Sequence, residues 1–177
     1  MNSMETERLL LRPWLTTDLN DLYEYSTDKR VGSMAGWKPH ESIEEARKAL
    51  DEYISQENHW AIVLKSENKV VGSIKLNSDE NRGKYYAKSI SFVLSPSYWG
   101  KEIMTEAAKR VICYAFDEMK IDLISAFHYP ENKRSKRVIE KCGFEYEITL
   151  FQSAKKYDGR LADMDCYCML RDDYYKI

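Results

Sequence analysis

The sequence predicts an α/β (α+β) fold: a mixed, mostly antiparallel sheet of about six to seven strands, flanked by helices. The first observation is an alternating apolar run that ends at residue 94, followed by a helical pattern and then by a buried-type strand at residues 121–127. Strand, helix and strand in this order indicate a parallel pair joined by a right-handed crossover. The second observation is a set of short β-rich runs on either side, which supply antiparallel partners.

Length and charge indicate one domain covering residues 1–177. A chain of 177 residues can bury a sizeable core but is too short to make two domains the expectation. With 27 basic and 29 acidic side chains, the formal charge of -2 gives no general attraction to nucleic acid. No apolar run is long enough to cross a bilayer. We therefore expect neither a nucleic-acid partner nor a membrane.

The cysteines and histidines do not form a metal-binding pattern. Four cysteines and three histidines are scattered without the paired spacing of a zinc site, so no metal is expected. The first residues lack the basic and apolar regions of a secretory signal. We therefore expect a cytoplasmic protein with reduced thiols.

The N-terminal third predicts one strand and two helices. Residues 5–12 are leucine-rich and alternate weakly until a proline stops them, which predicts the first strand. Thr17 is a candidate N-cap for a short helix over residues 18–25. Ser42, with a glutamate three residues later, has the capping-box pattern and predicts a second helix that continues to about residue 56.

The segment between these helices, residues 27–40, combines turn-forming glycines and a proline with large apolar side chains. We expect it to be a loop, and loops of this length in compact domains are often functional. Two interpretations stay open at this point. Either Met34 and Trp37 contact a substrate, or their side chains fill the hydrophobic core.

The middle of the chain predicts a hairpin and then the strand that precedes the central helix. Residues 60–64 and 70–76 are β-rich and are joined by a short polar turn. After a second turn, residues 85–94 form the strand that leads into the helix. The first turn of that helix carries N–H groups without an intrahelical partner, which can bind a phosphate. An ordinary connection between a strand and a helix would have the same pattern.

The C-terminal third predicts one helix and two strands. Asn132 is a good N-cap for a helix over residues 133–141, and the glycine two residues after that helix is a good stop. Residues 145–152 and 162–171 are expected to form the last two strands, around a turn that contains Asp-Gly. Capping alone would explain Asn132.

Five pieces of the chain carry a resemblance. They are Thr-Glu-Arg-Leu-Leu-Leu-Arg-Pro at 6–13, Tyr-Trp-Gly-Lys at 98–101 with Thr-Glu-Ala at 105–107, Pro-Glu-Asn-Lys-Arg-Ser at 130–135, Glu-Lys-Cys-Gly-Phe at 140–144, and Asp-Gly-Arg-Leu-Ala-Asp at 158–163. In this order they resemble the GNAT N-acetyltransferases, specifically the RimJ/RimL type that acetylates protein N-termini. Each piece is weak alone, but together they cover nearly the whole chain. The resemblance implies a single GNAT-like domain.

The resemblance implies transfer of an acetyl group from acetyl-CoA to a primary amine by direct attack, without a covalent enzyme intermediate. The implied acceptor is a protein or peptide N-terminus, and a small amine such as a polyamine or an antibiotic stays open. Two further classes also stay open. One is a CoA-binding module without turnover, and the other is an interaction domain that uses Trp37, Met34 and the tyrosine-rich tail. The chain would act as a monomer or a homodimer.

The resemblance also implies a cofactor site. Backbone groups of Phe92, Val93 and Leu94 would pair with the pantetheine arm as a neighbouring strand does. The pyrophosphate would be bound by the loop and the helix start, which comprise Trp99, Gly100, Lys101, Glu102, Ile103, Met104 and Thr105. Asn132 and Ser135 would make further cofactor contacts.

Three positions of that site depart from the family pattern. Glycine is usual where this chain has Glu102, glycine or alanine where it has Met104, and arginine or glutamine where it has Trp99. Because glycine permits close approach of the backbone, Glu102 has to project its carboxylate outward or it would repel the pyrophosphate. The departures therefore bear on the affinity for acetyl-CoA.

The catalytic groups are also assigned by resemblance. Many relatives protonate the departing thiolate with a tyrosine, and this chain has Ile139 there, so Ser135 is the remaining candidate for the catalytic acid. Ser89 stands where relatives often carry a carboxylate, and we assign it to substrate binding with Met34 and Trp37. Without that base, an N-terminal amine with a pKa of about 7.7 to 8.0 is a more accessible acceptor than a lysine at about 10.4.

Overall fold

The computed structural model describes residues 2–176, and its eight strands form one sheet in the order β1-β2-β3-β4-β5-β6-β8-β7. The strands are β1 Met4–Glu5, β2 Leu9–Pro13, β3 His59–Leu64, β4 Lys69–Ser78, β5 Ala87–Leu94, β6 Leu123–His128, β7 Glu145–Lys155 and β8 Leu161–Leu170. The β5–β6 pair is parallel and the other described ladders are antiparallel. The predicted fold class is confirmed, with one or two strands more than expected.

Helices flank this sheet as predicted. They are α1 Leu19–Ser26, α2 Lys29–Ala35, α3 Ile43–Ser55, α4 Ile103–Cys113, α5 Lys133–Lys141 and α6 Arg171–Tyr174. Of these, α2 and α6 were not predicted. No helix within residues 2–176 is long and apolar enough to cross a membrane.

By contact density the chain divides into two compact units, which are described in turn. The first unit contains the residues up to Lys75 together with Phe92–Ala107, and the second contains Leu76–Ser91 together with the residues from Ala108 onward. That the chain forms a single domain over residues 1–177 stays a prediction.

In the first unit, the predicted first strand, residues 5–12, is confirmed only from Leu9 onward, because the chain folds back on itself before that residue. β1 and β2 form an antiparallel pair in which Met4 lies opposite Leu11. The turn between them is closed by a 3.0 Å hydrogen bond from the Thr6 amide to the Leu9 carbonyl. Both Met4 and Leu11 are buried, so the turn places two apolar side chains of one run in the core.

The predicted cap of α1 is also wrong. A 3₁₀ turn, Thr16–Asp18, precedes the helix, and Asp18 rather than Thr17 makes the polar contacts there. The Asp18 carboxylate accepts from the Leu15 amide at 2.9 Å and from both terminal nitrogens of Arg12 at 2.7 and 2.8 Å. The buried ion pair with Arg12 could not be read from a local capping pattern.

Half of the segment predicted as a loop, residues 27–40, forms the helix α2. Asp28 caps α2 by accepting from the Arg30 amide, and Gly36 ends the helix with a φ of 86°. Gly32 lies inside this helix, and a Cβ there would come within 2.7 Å of the Trp37 carbonyl oxygen. The glycine therefore serves close packing, whereas the sequence pattern suggested a turn.

The other predicted elements of this unit are confirmed. Ser42 caps α3 by accepting from the Glu45 amide, and the helix ends at the predicted place. β3 and β4 form the expected antiparallel hairpin. The helices cover a core of large side chains that includes Trp14, Leu22 and Leu50.

In the second unit, the parallel pair and the last two strands are confirmed. β5 and β6 pair from Ala87 opposite Leu123 to Ile90 opposite Ala126. β8 lies between β6 and β7 and runs antiparallel to both. After Cys113 the helix α4 continues as one π-helical turn, Tyr114–Glu118, before the chain enters β6.

Candidate active site

The end of β5 extends past its parallel partner. The ladder with β6 covers Ala87–Ile90, while β5 itself continues to Leu94. The last three residues, Phe92, Val93 and Leu94, are half-buried. These are the residues that the sequence predicts to pair with the pantetheine arm. A strand end beyond its ladder has backbone groups free to bind an extended ligand by β-augmentation.

Gly72 of β4 lies against this strand end, a feature that the sequence analysis missed. A Cβ at Gly72 would lie 2.3 Å from the Val93 carbonyl oxygen and 3.1 Å from the Leu94 Cα. The Ser95 amide donates a 2.8 Å hydrogen bond to the Val71 carbonyl. Gly72 is therefore required for the close approach of two backbones at the site.

The loop after β5 contains two residues in the left-handed region. A 3₁₀ turn, Pro96–Tyr98, is followed by Gly100 with a φ of 75° and Glu102 with a φ of 60°. A Cβ at Gly100 would meet no atom within 4 Å, so space is open beside its backbone. The exposed Glu102 adopts a conformation that glycine tolerates far better, which explains in physical terms why glycine is usual there.

Helix α4 begins directly after this loop. The Glu106 amide donates to the Glu102 carbonyl at 3.0 Å, which closes the first helical turn. The N–H groups of the residues just after Glu102, including Ile103 and Met104, therefore have no acceptor inside the helix. Their side chains are buried, which anchors the helix start. Amides at a helix start, preceded by left-handed residues, form an anion-binding arrangement.

Hydrogen bonds of Arg8 and Glu106 connect this loop to the N-terminal hairpin. The Glu106 carboxylate accepts from the Thr6 hydroxyl at 2.5 Å and from Arg8 Nε at 2.6 Å. Arg8 also donates to the Lys101 carbonyl at 2.9 Å. Partial burial raises the pKa of Glu106, but the hydrogen bonds from Thr6 and Arg8 outweigh it and leave this pKa below its ordinary value. Glu106 is thus an anionic anchor of the loop.

Tyr98 gives the loop a second anchor. Its hydroxyl donates to Glu67 Oε2 at 2.5 Å, and this hydrogen bond, with some burial, raises the pKa of Tyr98 to about 12. The Lys101 ammonium lies 5.1 Å from the centre of the Tyr98 ring, within reach of a cation–π interaction. Lys101 is exposed and close to Gly100 in sequence, so it can contribute positive charge beside the helix start.

The Trp99 side chain is hydrogen-bonded to the end of β5. Its Nε1 donates a 2.9 Å hydrogen bond to the Leu94 carbonyl, and the Arg30 guanidinium lies 5.7 Å from its ring centre. Of the three residues predicted to contact substrate, Trp37 packs against the core with its ring tilted 5.3 Å from that of His40, whereas Met34 is exposed. The structure therefore leaves the substrate role of Met34 and Trp37 a prediction, and shows that Trp37 also has a packing role.

In the second unit, Asn132 and Ser135 are joined by a capping hydrogen bond. Asn132 Oδ1 accepts from the Ser135 amide at 3.1 Å and caps α5, as predicted. Ser135 is half-buried, and Ile139, one turn further along, is only 1% exposed. Ile139 is therefore a core residue. The Ser135 hydroxyl is the hydroxyl group that this face of the helix offers at the predicted site.

Ser89 lies in the sheet opposite Ser125. Arg82 Nε donates to the Ser125 hydroxyl at 3.1 Å, and the same guanidinium makes paired hydrogen bonds of 2.8 and 2.5 Å to Glu147. The hydrogen bond from Arg82 is the main reason that the pKa of Glu147 is lowered. The carboxylate close to this row is thus committed to an arginine and is a poor proton acceptor.

These residues fit the predicted cofactor. The open space beside Gly100 and the amides at the start of α4 suit a pyrophosphate, and the end of β5 beyond its ladder with β6 suits an amide-containing arm. The exposed Glu102 is the one acidic residue of the loop itself. No group of three His, Cys, Asp or Glu side chains within the described chain could hold a metal ion.

Comparison with known proteins identifies the family. The family described as "Acetyltransferase (GNAT) domain" matches residues 8–145. A probable N-acetyltransferase, YjcK of Bacillus subtilis, is 31% identical over 96% of this chain and 98% of its own length. An uncharacterized N-acetyltransferase, p20 of Bacillus licheniformis, is 28% identical over 98% of this chain and 99% of its own.

Two further proteins are similar to this chain. The crystal structure of a GNAT-family acetyltransferase from Bacillus anthracis superposes with a TM-score of 0.86, at 27% identity, over 97% of this chain and 99% of that one. The spermidine N(1)-acetyltransferase of Escherichia coli is 25% identical over 77% of this chain and 73% of its own length.

The chain therefore belongs to the GNAT acetyltransferase family. It is an N-acetyltransferase that takes its acetyl group from acetyl-CoA.

Proposed function

We propose that this enzyme acetylates the N-terminal amine of a protein or peptide, as the RimJ/RimL type does. The observation that carries this proposal is the polar row at Ser89. The residue opposite is Ser125, and the nearby Glu147 is paired with Arg82. Because Ser89 lies beside another serine and Glu147 is paired with Arg82, we expect no strong base next to Ser89, which favours an amine that loses its proton easily. An N-terminal amine does so about two to three pH units below a lysine side chain.

Residues 92–105 carry the proposed binding of the co-substrate. Backbone groups of Phe92, Val93 and Leu94 bind the pantetheine arm, and the amides from Gly100 to Thr105 bind the pyrophosphate. When bound, acetyl-CoA supplies an acetyl group activated as a thioester. An N–H group of Val93 or Leu94 polarises the thioester carbonyl, as a preorganised donor does in acyl transfer. Trp99 and Tyr98 hold these backbone groups in place.

Ser135 carries the proposed protonation step. Its hydroxyl passes a proton to the departing thiolate and is reprotonated by water, and Asn132 binds the pantetheine arm or the acceptor while it caps α5. The excess proton of the amine leaves through water, because Glu147 is committed to Arg82 and Ser89 has no basic group. This division of work between Ser135 and water explains how the site functions without the family's tyrosine or carboxylate.

A polyamine is the second candidate acceptor. The observation that favours it is the similarity to the spermidine N(1)-acetyltransferase of Escherichia coli, at 25% identity over 77% of this chain. A polyamine acceptor would need acidic side chains in the acceptor site to bind its several positive charges. The N-terminal amine remains the better proposal because Glu147 is already paired.

The test is a comparison of acceptors with release of the CoA thiol as the readout. One peptide with a free N-terminal serine or alanine and an internal lysine is compared with the same peptide blocked at its N-terminus, and with spermidine. We expect turnover of the free peptide, at least about tenfold above both others. Turnover of spermidine without turnover of the peptide would replace this proposal with the second candidate. Acetylation of the blocked peptide would point to lysine instead.

The cytoplasm is the proposed compartment. All four cysteines are free thiols, and Cys142 and Cys166 are buried. Free thiols persist where the surroundings are reducing.

A further inference from the structure

Helix α2 shares a core cluster with the end of β5 and with the loop that follows it. Val31 of this helix is only 4% exposed and belongs to the cluster against which Val93 and Trp99 are packed. Val93 is part of the strand end proposed to bind the pantetheine arm, and Trp99 directly precedes Gly100, beside which space is open. The helix α2 is therefore a structural neighbour of the proposed co-substrate site.

Arg30, the residue before Val31, lies over the Trp99 ring. Its guanidinium carbon is 5.7 Å from the ring centre, within the range of a cation–π interaction. The ring is itself fixed, because Trp99 Nε1 donates a 2.9 Å hydrogen bond to the Leu94 carbonyl. The guanidinium therefore has a defined place at the start of the loop proposed to bind the pyrophosphate.

Asp28 orients the same guanidinium and occupies only one of its edges. The Asp28 carboxylate accepts hydrogen bonds of 3.0 and 3.2 Å from Arg30 Nε and one of 2.6 Å from Nη2. A guanidinium has five N–H groups. The other edge, formed by Nη1 and the second hydrogen of Nη2, makes no hydrogen bond to any residue that the structure describes. Three N–H groups of Arg30 therefore remain for a ligand.

The exposure and charge of Arg30 indicate what kind of ligand this edge binds. The side chain is 67% exposed, so a ligand can reach it without displacing Asp28. Because Asp28 offsets the positive charge, we expect Arg30 to act through directed hydrogen bonds more than through long-range attraction. Two adjacent nitrogens of a guanidinium match two oxygens of a phosphate group. The Lys101 ammonium, 5.1 Å from the Tyr98 ring centre, adds a second cation to the loop.

We propose that Arg30 is a further binding residue for acetyl-CoA and that it donates from its free edge to the pyrophosphate. The inference rests on the proposed placement of the pyrophosphate beside Gly100 and the start of α4. Asp28 is then a positioning residue, since it holds the guanidinium and does not contact the ligand. The helix α2 thereby binds the co-substrate in addition to packing on the core.

Calorimetric titration with three ligands tests the contact. Acetyl-CoA carries the pyrophosphate and a 3′-phosphate, 3′-dephospho-acetyl-CoA lacks the 3′-phosphate, and S-acetylpantetheine, measured by displacement, lacks both groups. We expect Arg30→Gln to weaken the binding of the first two ligands about tenfold and to leave the third unchanged. A loss confined to acetyl-CoA would assign Arg30 to the 3′-phosphate and overturn the proposal. An equal loss for all three ligands would show a structural role only and overturn it as well.

Two further variants control for charge and for folding. Arg30→Gln should fold normally, because the side chain is exposed and Asp28 still caps α2 through the backbone amide of residue 30. Arg47→Gln is the matched control, since Arg47 is an exposed arginine on α3 in the same unit. An equal loss of affinity in Arg47→Gln would assign the effect to net charge and overturn the proposal. Arg30→Lys keeps the charge without the planar fork and should recover only part of the affinity.

A double-variant cycle tests how Arg30 is positioned. Trp99→Leu removes the ring under the guanidinium, so in this background Arg30→Gln should weaken acetyl-CoA binding only about twofold further. Trp99→Phe keeps a ring and should preserve most of the tenfold effect. A full tenfold effect of Arg30→Gln in the Trp99→Leu background would contradict positioning by the ring.

These titrations need no acceptor amine, which separates this inference from the proposed function. If the peptide N-terminus is not acetylated while Arg30→Gln still weakens acetyl-CoA binding as expected, the proposed acceptor fails and the role of Arg30 stands. If the wild type binds S-acetylpantetheine as tightly as acetyl-CoA, the proposed pyrophosphate site and this inference fail together. If the wild type prefers acetyl-CoA and Arg30→Gln binds every ligand as the wild type does, the inference about Arg30 alone is overturned.

Discussion

Arg8 and Glu106 are 98 residues apart in sequence and are joined by two hydrogen bonds, of 3.0 Å from the Arg8 amide and 2.6 Å from its Nε. The same guanidinium donates to the Lys101 carbonyl at 2.9 Å. One arginine thus links the N-terminal hairpin to helix α4 and to the loop that precedes it. The resemblance at residues 6–13 acquires a physical meaning here, since this piece fastens the loop proposed to bind pyrophosphate.

Arg8→Ala should weaken the binding of acetyl-CoA about tenfold, because the loop loses its tie at Lys101. The free energy of unfolding should fall by only about 1 kcal/mol, since the Arg8 side chain is 42% exposed and its ion pair is screened. Calorimetric titration with acetyl-CoA measures the affinity. Lys65→Ala is the matched control, because Lys65 forms a similarly exposed pair with Glu5 in the same unit. An equal loss of affinity in both variants would show that the hydrogen bond from Arg8 to Lys101 does not support acetyl-CoA binding.

Gly100→Ala and Glu102→Gly should change stability in opposite directions. A Cβ at Gly100 meets no atom within 4 Å, so the substitution costs only the strain of a φ of 75°, about 1–2 kcal/mol. Glu102→Gly releases the strain of a φ of 60°, and the entropy of glycine offsets about 0.5–1 kcal/mol of that gain. It should also tighten acetyl-CoA binding by removing a carboxylate beside the pyrophosphate. Thermal unfolding and titration measure the two effects.

Glu102→Gln separates the charge from the backbone. It keeps the strained conformation and removes only the negative charge, so it should gain affinity without gaining stability. If neither Glu102 variant binds acetyl-CoA more tightly, the carboxylate does not face the pyrophosphate.

The sequence predicts most elements of this fold because their signals are local. Ser42 and Asn132 cap helices as their patterns indicate, and the order strand, helix, strand predicts the parallel pairing of β5 with β6. Where the prediction from sequence is wrong, the cause is either a contact between residues far apart in sequence or a residue type that fits two roles. The turn between β1 and β2 is fixed by Thr6, whose hydroxyl bonds a carboxylate 100 residues away. Gly32 serves close packing inside a helix, a role that composition does not distinguish from a turn.

The residues of the candidate site also fall into those that the sequence predicts and those that it does not. Gly100 and Asn132 are recognisable by type and spacing; Gly100 has a left-handed backbone and Asn132 caps α5, while their cofactor contacts stay a prediction. The roles of Arg8 and Arg82 were not predictable, because these residues act through partners brought close only by the fold. The sequence thus indicates the backbone of the site, while its electrostatic support follows from tertiary contacts.

His59 should make stability depend on pH in the acid range. Burial, followed by the charge of Lys75, lowers the pKa of His59 from 6.5 to about 4. The unfolded chain therefore binds more protons than the folded one between these pH values, so stability rises with pH there. His59 thereby contributes roughly 3 kcal/mol to the free energy of unfolding. This contribution is complete above pH 6.5 and is lost as the pH falls toward 4. His59→Phe, measured by denaturant unfolding from pH 4 to 7, should flatten this slope. An unchanged slope would assign it to other groups.

Arg82→Ala should destabilise the protein by about 1–2 kcal/mol, because it removes the paired hydrogen bonds to Glu147, whose side chain is 37% exposed and keeps part of its contact with water. The Arg82 side chain is only 19% exposed and also contacts Ser125. Arg160→Ala is the control, since that side chain is 75% exposed and pairs with Asp158 at the surface. The double variant Arg82→Met with Glu147→Leu should lose less than Arg82→Ala alone. A larger loss in the double variant would show that the ion pair itself stabilises the fold.

Ser135→Ala should lower kcat about a hundredfold and leave the affinity for acetyl-CoA nearly unchanged, because the hydroxyl acts on the departing thiolate and not on the bound ground state. Asn132→Ala should instead weaken the binding of acetyl-CoA. It should also lower the free energy of unfolding by about 1 kcal/mol, because α5 loses its cap. Single-turnover kinetics and calorimetric titration separate the two effects. Ser135→Thr keeps a hydroxyl and should recover part of the rate. A normal rate for Ser135→Ala would remove this residue as the acid and leave protonation of the thiolate to water.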